Sequence, residues 1–473
     1  MPSDISVNPG ETIGTLPDRG VRSLRASTDL VAYTGHALIH APEFNEMIMG
    51  VQRHVAPRPE QRWALVCRDT LSFATGFLGL LQAGKTVILP QTDQPSAVEV
   101  AQAGAVLTDD PVRFDGFTTV EITAAVCRRE PVSGCPALDE QSRIELYTSG
   151  STGRPKRVDK RLGQLHAEVA ELEGKWGQVI GDAVVVATVP HHHLYGLLFR
   201  FLWPWWSRRP MYTPTCLQPF QLAEAIRQFD RCVVVSSPAF LTRVTEVETL
   251  RGRDTFAGLF SSGAPLPPDT AIRLASGLGQ AVTEVYGSTE TGGVAWRARR
   301  EPADDLSWHP FSSVETRILN PDHNAQGRLL VRSPWTPSEE WVDTGDLAQC
   351  VPMGGFLLCG RADSVYKVED KRLSITEMEE RLGTHALVEE ARVVILEGKR
   401  TSVGAVVVLN AAGRDLLAQD GIQSLRLTLV NWLRAWYDPV LIPRKWRFVP
   451  VMPGNGLGKI EKARLLELFA KAN

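Results

Sequence analysis

The chain has 473 residues, 51 Lys and Arg against 54 Asp and Glu, a formal net charge of −3, and 43% hydrophobic residues. That is ordinary globular composition, and the balanced charge without a long run of one sign excludes a protein whose main work is coating nucleic acid or an anionic membrane. Seven cysteines without a CxxC pair or metal-like spacing read as reduced, cytoplasmic thiols. The opening MPSDISVNPGETIGTL has no basic start or apolar stretch of a secretory signal, and no apolar run approaches the ~18 residues of a membrane span.

At about 150 residues per domain the length predicts roughly three compact units. Residues 1 to 30, polar and rich in turn formers, read as a loose lead-in. From Trp63, WALVCRD is predicted as a buried strand, FATGFLGLLQAG as an amphipathic helix stopped by glycine, and KTVILP as a second strand, together a βαβ unit. The pattern recurs in AVVVATVP (183–190), in FQLAEAIRQF (220–229) with CVVVSSP (232–238), and in LFSSGAPL (259–266) with a helix and AVTEVYG (281–287). Such alternation predicts a mostly parallel sheet covered on both faces. Arg297, Ala298, Arg299 and Arg300 read as a solvated face.

After Trp296, short strands such as ETRILN and GRLLVRSP, separated by Pro, Asp and Gly, predict an antiparallel or barrel-like piece. From Gly360, GRADSVYKV leads to a helix near Thr376, the strands ARVVILEG and SVGAVVVLN, a helix around Gln423–Tyr437, WRFVPV and a closing helix. These ~110 residues predict a small α+β domain.

The strongest local chemistry lies in Tyr147, Thr148, Ser149, Gly150, Ser151, Thr152, Gly153, Arg154, Pro155 and Lys156. Hydroxyl donors, exposable backbone N–H groups between two glycines and a lysine cation make a phosphate cradle. It is not a Walker loop, because the GxxxxGK[ST] spacing fails.

In order along the chain, YTSGSTGRPK, PHHHLYG (190–196), SSGAPL (261–266), YGSTETGG (286–293), WVDTGDL (341–347), GRADSVYKV (360–368) and GNGLGK (454–459) resemble the adenylate-forming superfamily of acyl-CoA synthetases, aryl-CoA ligases and peptide-synthetase adenylation domains. The resemblance spans roughly residues 60 to 465. It implies an α/β fold with a large N-terminal domain, residues 1–360, of parallel αβα layers plus a small β-barrel-like piece, followed by a small mobile α+β C-terminal domain, residues 361–473. It also implies a two-step reaction using ATP and Mg2+. A carboxylate attacks the α-phosphate and releases pyrophosphate, and the phosphopantetheine thiol of CoA or of an acyl carrier protein then displaces AMP.

By that resemblance the 148–156 loop, with Lys156, holds the β- and γ-phosphates, and Gly150 and Gly153 let its backbone approach. Glu290 matches the magnesium-ligating glutamate and Thr289 the α-phosphate contact, a hard cation suiting a carboxylate. Gly263, Ala264, Tyr286, Gly287 and Ser288 complete the nucleotide set. Asp346 matches the ribose-binding aspartate, Arg361 a ribose or phosphate contact, Asp363 the hinge and Lys459 the catalytic lysine. His193 falls beside the acyl carboxylate, with His192 in place of the usual aromatic residue. Three consecutive histidines do not read as a metal site, because neighbours in a strand point to opposite faces and no companion ligand lies near. Tyr195, Phe199, Gly263 and Gly293 fall along the acyl pocket, and an aromatic wall with a tyrosine hydroxyl suits a flat aromatic acid; core packing is the other reading of Phe199 and Trp203.

CVVVSSPA (232–239) lacks the aspartate by which peptide-synthetase domains hold an amino group, so an amino-acid substrate is disfavoured. Asp370 stands where the family commonly has a glycine beside the thiol tunnel, and the chain is short for an acyl-CoA synthetase before residue 60. Two alternatives therefore stay open: an adenylate-forming enzyme with an amine or oxygen acceptor, and a non-catalytic nucleotide-binding protein. The partners expected are a small carboxylic acid, aromatic or short acyl, with CoA or a carrier protein, and neither nucleic acid nor membrane.

Overall fold

The computed structural model describes residues 5–6, 29–122, 138–149, 155–250, 256–301, 304–321, 325–337, 340–352, 354–362, 365–368, 371–396, 402–453 and 462–470. Of the expected site residues, Gly150, Ser151, Thr152, Gly153, Asp363, Asp370 and Lys459 lie outside them, and Ser149 is described by its backbone alone.

The first βαβ unit forms where the apolar runs place it. Strand Arg62–Val66 leads to helix Thr70–Gln82, and strand Thr86–Leu89 returns parallel, with Ala64 opposite Ile88. The helix starts at Asp69, whose carboxylate accepts the Ser72 amide at 2.7 Å and satisfies one of the free N–H groups of the first turn. Strand Arg143–Ser149 joins this sheet parallel to Thr86–Leu89, then turns back antiparallel as Pro155–Arg161 at its edge. Arg62 closes the sheet end through a bidentate pair with the buried carboxylate of Glu145, at 3.1 and 2.6 Å.

A second, nine-stranded sheet contains Val184–Ala187, Cys232–Ser236, Phe256–Ser261 and Val282–Ser288 side by side and parallel, with Gly292–Arg299 antiparallel beyond them. The two sheets share one apolar core. Trp63, Leu65 and Val87 from the first and Val185, Val233 and Phe260 from the second belong to a single buried cluster, bridged by Phe73 and Phe77 of one helix and by Leu165, Val169 and Leu172 of helix Leu162–Ile180. The α/β class with parallel sheets in a large N-terminal part is thus realised.

The barrel-like expectation is corrected to an open sheet. Glu315–Leu319, Gln326–Arg332, Val342–Cys350 and Phe356–Arg361 form an antiparallel meander, and Ile5–Ser6 adds an outer strand to its first member. Among the described residues its two edge strands do not pair with each other, so no barrel closes. The strand Ile5–Ser6 shows that the stretch read as a loose lead-in contributes a strand, and Leu30–Tyr33 of the second sheet begins where that stretch ends.

The last part builds its own cores. Val388–Leu396 pairs antiparallel with Ser402–Leu409, which pairs parallel with Lys445–Val449, and helices Ile375–Gly383, Ala411–Leu433 and Lys462–Ala470 pack on them. The helix expected around Gln423–Tyr437 forms and ends at Leu433; Gly421 (φ 77°) separates it from a preceding helical segment that the sequence reading did not include, which begins at Ala411 with Asn410 capping the Gly413 amide.

The arginine cluster is not a solvated face. On strand Gly292–Arg299, Arg297 forms a bidentate pair with the buried Glu284 carboxylate at 2.8 and 3.0 Å and stacks over Trp308 at 4.3 Å, and Arg299 is buried as well. Ala298 and Arg300 are exposed, as the two-residue period of a strand requires.

Candidate nucleotide and acyl site

Of the described residues expected to hold a nucleotide, Thr148, Lys156 and Glu290 meet where the ends of the two parallel sheets face each other. In the hairpin formed by Arg143–Ser149 and Pro155–Arg161, Thr148 faces Lys156 across the strands. Lys156 extends to the turn at residues 289–291, where its ammonium lies 3.2 Å from Glu290 Oε1. The turn is locked internally, because the Ser288 amide donates to Thr291 Oγ1 at 3.0 Å and the Thr291 amide to Ser288 Oγ at 3.1 Å. Partial burial on its own raises the Glu290 pKa, but hydrogen bonds from its own backbone amide, Lys156 and Ser288 outweigh it and hold the carboxyl below the ordinary carboxylate range. Thr289 and Glu290 therefore sit in a strand-to-strand turn, with an ionised carboxylate facing a lysine. Gly287 admits no side chain, since a Cβ there would collide with the Gly292 carbonyl.

A second corner lies on the antiparallel sheet. Asp346, in strand Val342–Cys350, accepts the Tyr286 hydroxyl, and Arg361 lies across the strands from it with its guanidinium 3.4 Å from Oδ1. Burial first, then the Asp346 charge, pushes the Tyr286 phenol far up, so it remains a donor. Gly345 (φ 75°) makes this approach possible, because a Cβ there would stand 2.8 Å from the Arg361 guanidinium.

The acyl side is formed by the turn after Val184–Ala187, not by a strand as the alternation argument for the histidines assumed. His191 is buried: Nε2 is 2.9 Å from the Cys67 carbonyl and Nδ1 3.2 Å from Thr70 Oγ1. A carbonyl only accepts, so Nε2 carries the proton and Nδ1 accepts the threonine hydroxyl. Burial holds His191 well below the usual histidine range and, with the neighbouring His193 charge, takes His192 down to about 3, so both rings are neutral. The His192 and His193 rings lie 4.2 Å apart, and His193 caps the short helix Leu194–Gly196, its carbonyl accepting the Leu197 amide at 2.7 Å. The buried guanidinium of Arg200 anchors this turn through the Val189 carbonyl at 2.7 Å and the Thr213 carbonyl at 2.6 Å.

Tyr195 packs on Phe199 at 4.8 Å, and Phe199, 2% exposed, is closed in by Phe260 at 5.3 Å and Trp203 at 5.5 Å. Phe199 and Trp203 are thus core residues. Gly263 (φ 94°) and Ala264 are exposed just past the end of strand Phe256–Ser261, and Gly293 is the second residue of strand Gly292–Arg299, beside Phe311.

Two functional candidates escaped sequence reasoning: Lys160 and Glu168. Lys160 is 2% exposed and donates to the carbonyls of Glu290 at 3.2 Å and Trp335 at 2.7 Å. Glu168 is 3% exposed and accepts the Gly293 amide at 2.6 Å. Burial pushes its pKa up to about 7, against the opposing pull of Lys160 and that amide. A signal existed: Lys160 shares the inward face of its strand with Val158, and Glu168 lies on the apolar stripe of Leu165 and Leu172.

In this α/β architecture Lys156 of strand Pro155–Arg161 faces the Glu290 turn, and Asp346 meets Tyr286 and Arg361. Residues 80–338 match the family described as AMP-binding enzyme. The 4-coumarate–CoA ligase of Cereibacter sphaeroides is 30% identical over 332 residues, covering 68% of this chain and 70% of that one. The anthranilate–CoA ligase of Pseudomonas aeruginosa is 26% identical over 471 residues, covering 87% of each. Among solved structures, ATP-bound MatB from Rhodopseudomonas palustris superposes with a TM-score of 0.79 at 19% identity, over 96% of this chain and 97% of that one, a likeness of fold. The chain belongs to the AMP-binding enzyme family. Its activity class is ATP-dependent, AMP-forming acid–thiol ligation, with ATP, Mg2+ and CoA as cofactors and co-substrate. Among the described residues no helix is long and apolar enough to cross a membrane.

Proposed function

We propose that the protein activates a small carboxylic acid, either a single-ring aromatic or a short acyl acid, and passes the acyl group to the pantetheine thiol of CoA or an acyl carrier protein. The observation that carries this reading is the Lys156–Glu290 contact at 3.2 Å, which brings the phosphate-cradle lysine and the matched magnesium glutamate to one point. The donor chemistry fits a hard divalent cation: Glu290 is held ionised and is partly open to solvent. Bound there by Glu290, Mg2+ would neutralise charge on the phosphate oxygens.

The chain's own groups supply the rest. Lys156, Thr148 and the 149–153 loop receive the outer phosphates, Thr289 the α-phosphate, and Asp346 the ribose hydroxyls, with Tyr286 and Arg361 holding its carboxylate in place. Gly263, Ala264, Gly287 and Ser288 leave backbone room for the nucleotide, while His193, Tyr195 and Gly293 border the acid and Phe199 closes the floor behind Tyr195. An acid oxygen then attacks the α-phosphorus as the bond to pyrophosphate breaks, which demands in-line positioning more than new covalent chemistry. In the second step the thiolate attacks the acyl carbon and AMP leaves with the bonding pair. Residues 361–473, with Asp363 as hinge, form the unit that turns between the steps and brings Lys459 to the first. The seven cysteines suit a reducing compartment, and we place the protein in the cytoplasm.

The test is carboxylate-dependent ATP–pyrophosphate exchange across benzoates, cinnamates, fatty acids and amino acids, followed by product mass with CoA and with a carrier protein. Exchange with one acid group and a thioester on one acceptor is the expected outcome. Exchange without either thioester would transfer the second step to a non-thiol acceptor, the reading that Asp370 motivates.

A further inference from the structure

The turn that carries Glu290 is held from behind by buried charges. The Lys160 ammonium donates to the Glu290 carbonyl at 3.2 Å, and the Glu168 carboxylate accepts the Gly293 amide at 2.6 Å. Trp335 ties the two ends together: its carbonyl accepts Lys160 at 2.7 Å and its indole N–H donates to the Gly293 carbonyl at 3.1 Å. The fit is close, for a Cβ at position 292 would stand 2.7 Å from Glu168 Oε2. Lys160 and Glu168 come from consecutive elements, the strand Pro155–Arg161 that also carries Lys156 and the helix Leu162–Ile180.

Buried charges are expensive unless paired and hydrogen-bonded; two backbone carbonyls and the attraction of Glu168 compensate Lys160, whereas Glu168 keeps one oxygen without a hydrogen-bond partner among the described residues, in line with a pKa raised to about 7. Both side chains are almost wholly covered, so neither can meet a substrate directly. Whatever they do passes through residues 290–293.

We propose that Lys160 and Glu168 are a pair of positioning residues that sets this turn, fixing the Glu290 carboxylate toward Mg-ATP at one end and the Gly293 backbone toward the acyl group at the other. The inference rests on the roles proposed above for Glu290 and Gly293. It makes the nucleotide and acid subsites share one support, so loosening either charge shifts the affinity of its own end first.

The experiment uses the full chain and measures exchange kinetics at varied MgATP and varied acid, MgATP affinity by calorimetry, and thermal melting. Lys160→Met is expected to raise both KM and Kd for MgATP by about 10-fold, or about 1.4 kcal/mol, with a smaller change in acid KM. Glu168→Leu is expected to raise acid KM by a similar factor, and Glu168→Gln, which keeps an oxygen acceptor for the Gly293 amide, to recover most of that loss. Because a single variant leaves the other buried polar group without its partner, the pair Lys160→Met with Glu168→Leu is the decisive protein: removing both groups restores melting while both KM values stay raised. A double variant that melts like the parent and keeps both KM values within about twofold overturns the proposal. Glu290→Gln separates the two readings. If it leaves exchange intact, the assignment of Glu290 fails; if it abolishes exchange while the double variant is unaffected, only the positioning proposal fails.

Discussion

Replacing Asp346 by Ala should weaken MgATP binding and, separately, destabilise the fold. On the proposed reading its carboxylate accepts both ribose hydroxyls, and a hydrogen bond to a charged acceptor contributes roughly 1.5–3 kcal/mol. Two such bonds give about 3 kcal/mol at the lower bound, a rise of ~100-fold in the KM for ATP. The same change strips the Tyr286 hydroxyl, which is largely buried, of its acceptor, an additional cost of about 1–3 kcal/mol in stability. The two effects can be separated by adding Tyr286→Phe, which removes the orphaned hydroxyl and recovers melting without recovering KM. Exchange kinetics with ATP, 2′-deoxy-ATP and 3′-deoxy-ATP provide the assay, since the parent should prefer ATP and Asp346→Ala should lose that preference. Equal discrimination in both proteins, or an ATP KM within about threefold of the parent, would refute the assignment.

Two further predictions concern stability. Arg297→Ala leaves the Glu284 carboxylate buried without its guanidinium, so denaturant unfolding should show a loss of about 3–5 kcal/mol; a solvated arginine would cost under about 0.5 kcal/mol. His192 is depressed to about 3 from an ordinary 6.5, so the unfolded chain binds the extra proton. Its contribution is present above pH ~6.5 and lost as the pH falls toward ~3, up to about 2 kcal/mol by pH 5. Melting from pH 8 to 5 should thus show a shallower acid slope in His192→Phe than in the parent, and identical slopes would remove the histidine from the account.

What could be read in advance followed from local pattern. Short apolar runs bounded by turn residues placed Arg62–Val66, Thr70–Gln82 and Thr86–Leu89 correctly, although the helix, expected to be amphipathic, is buried on all sides. The motif order placed Lys156, Glu290 and Asp346, which the fold brings to one end of the sheets. Pairings made at a distance stayed hidden. Nothing local says that Arg297 meets Glu284, since only the antiparallel register of two strands brings them together. Lys160 and Glu168 stand on inward-facing positions of their own elements, but their partners, residues 290–293 and 335, are distant in sequence and come together only in the fold. Gly421 offers glycine's freedom, but the sequence does not say whether a glycine inside a helical pattern will use it.

The separation of apolar clusters bears on how the molecule opens. Among the described residues, no buried side chain of the clusters after Tyr366 is shared with the cluster that joins the two parallel sheets. Cooperativity follows shared burial, so the two sheets should exchange their amide hydrogens as one protected unit, while the strands Val388–Leu396 and Ser402–Leu409 exchange as another with its own opening free energy. A single melting temperature would then average two transitions, and a nucleotide bound on the large part would slow exchange there first.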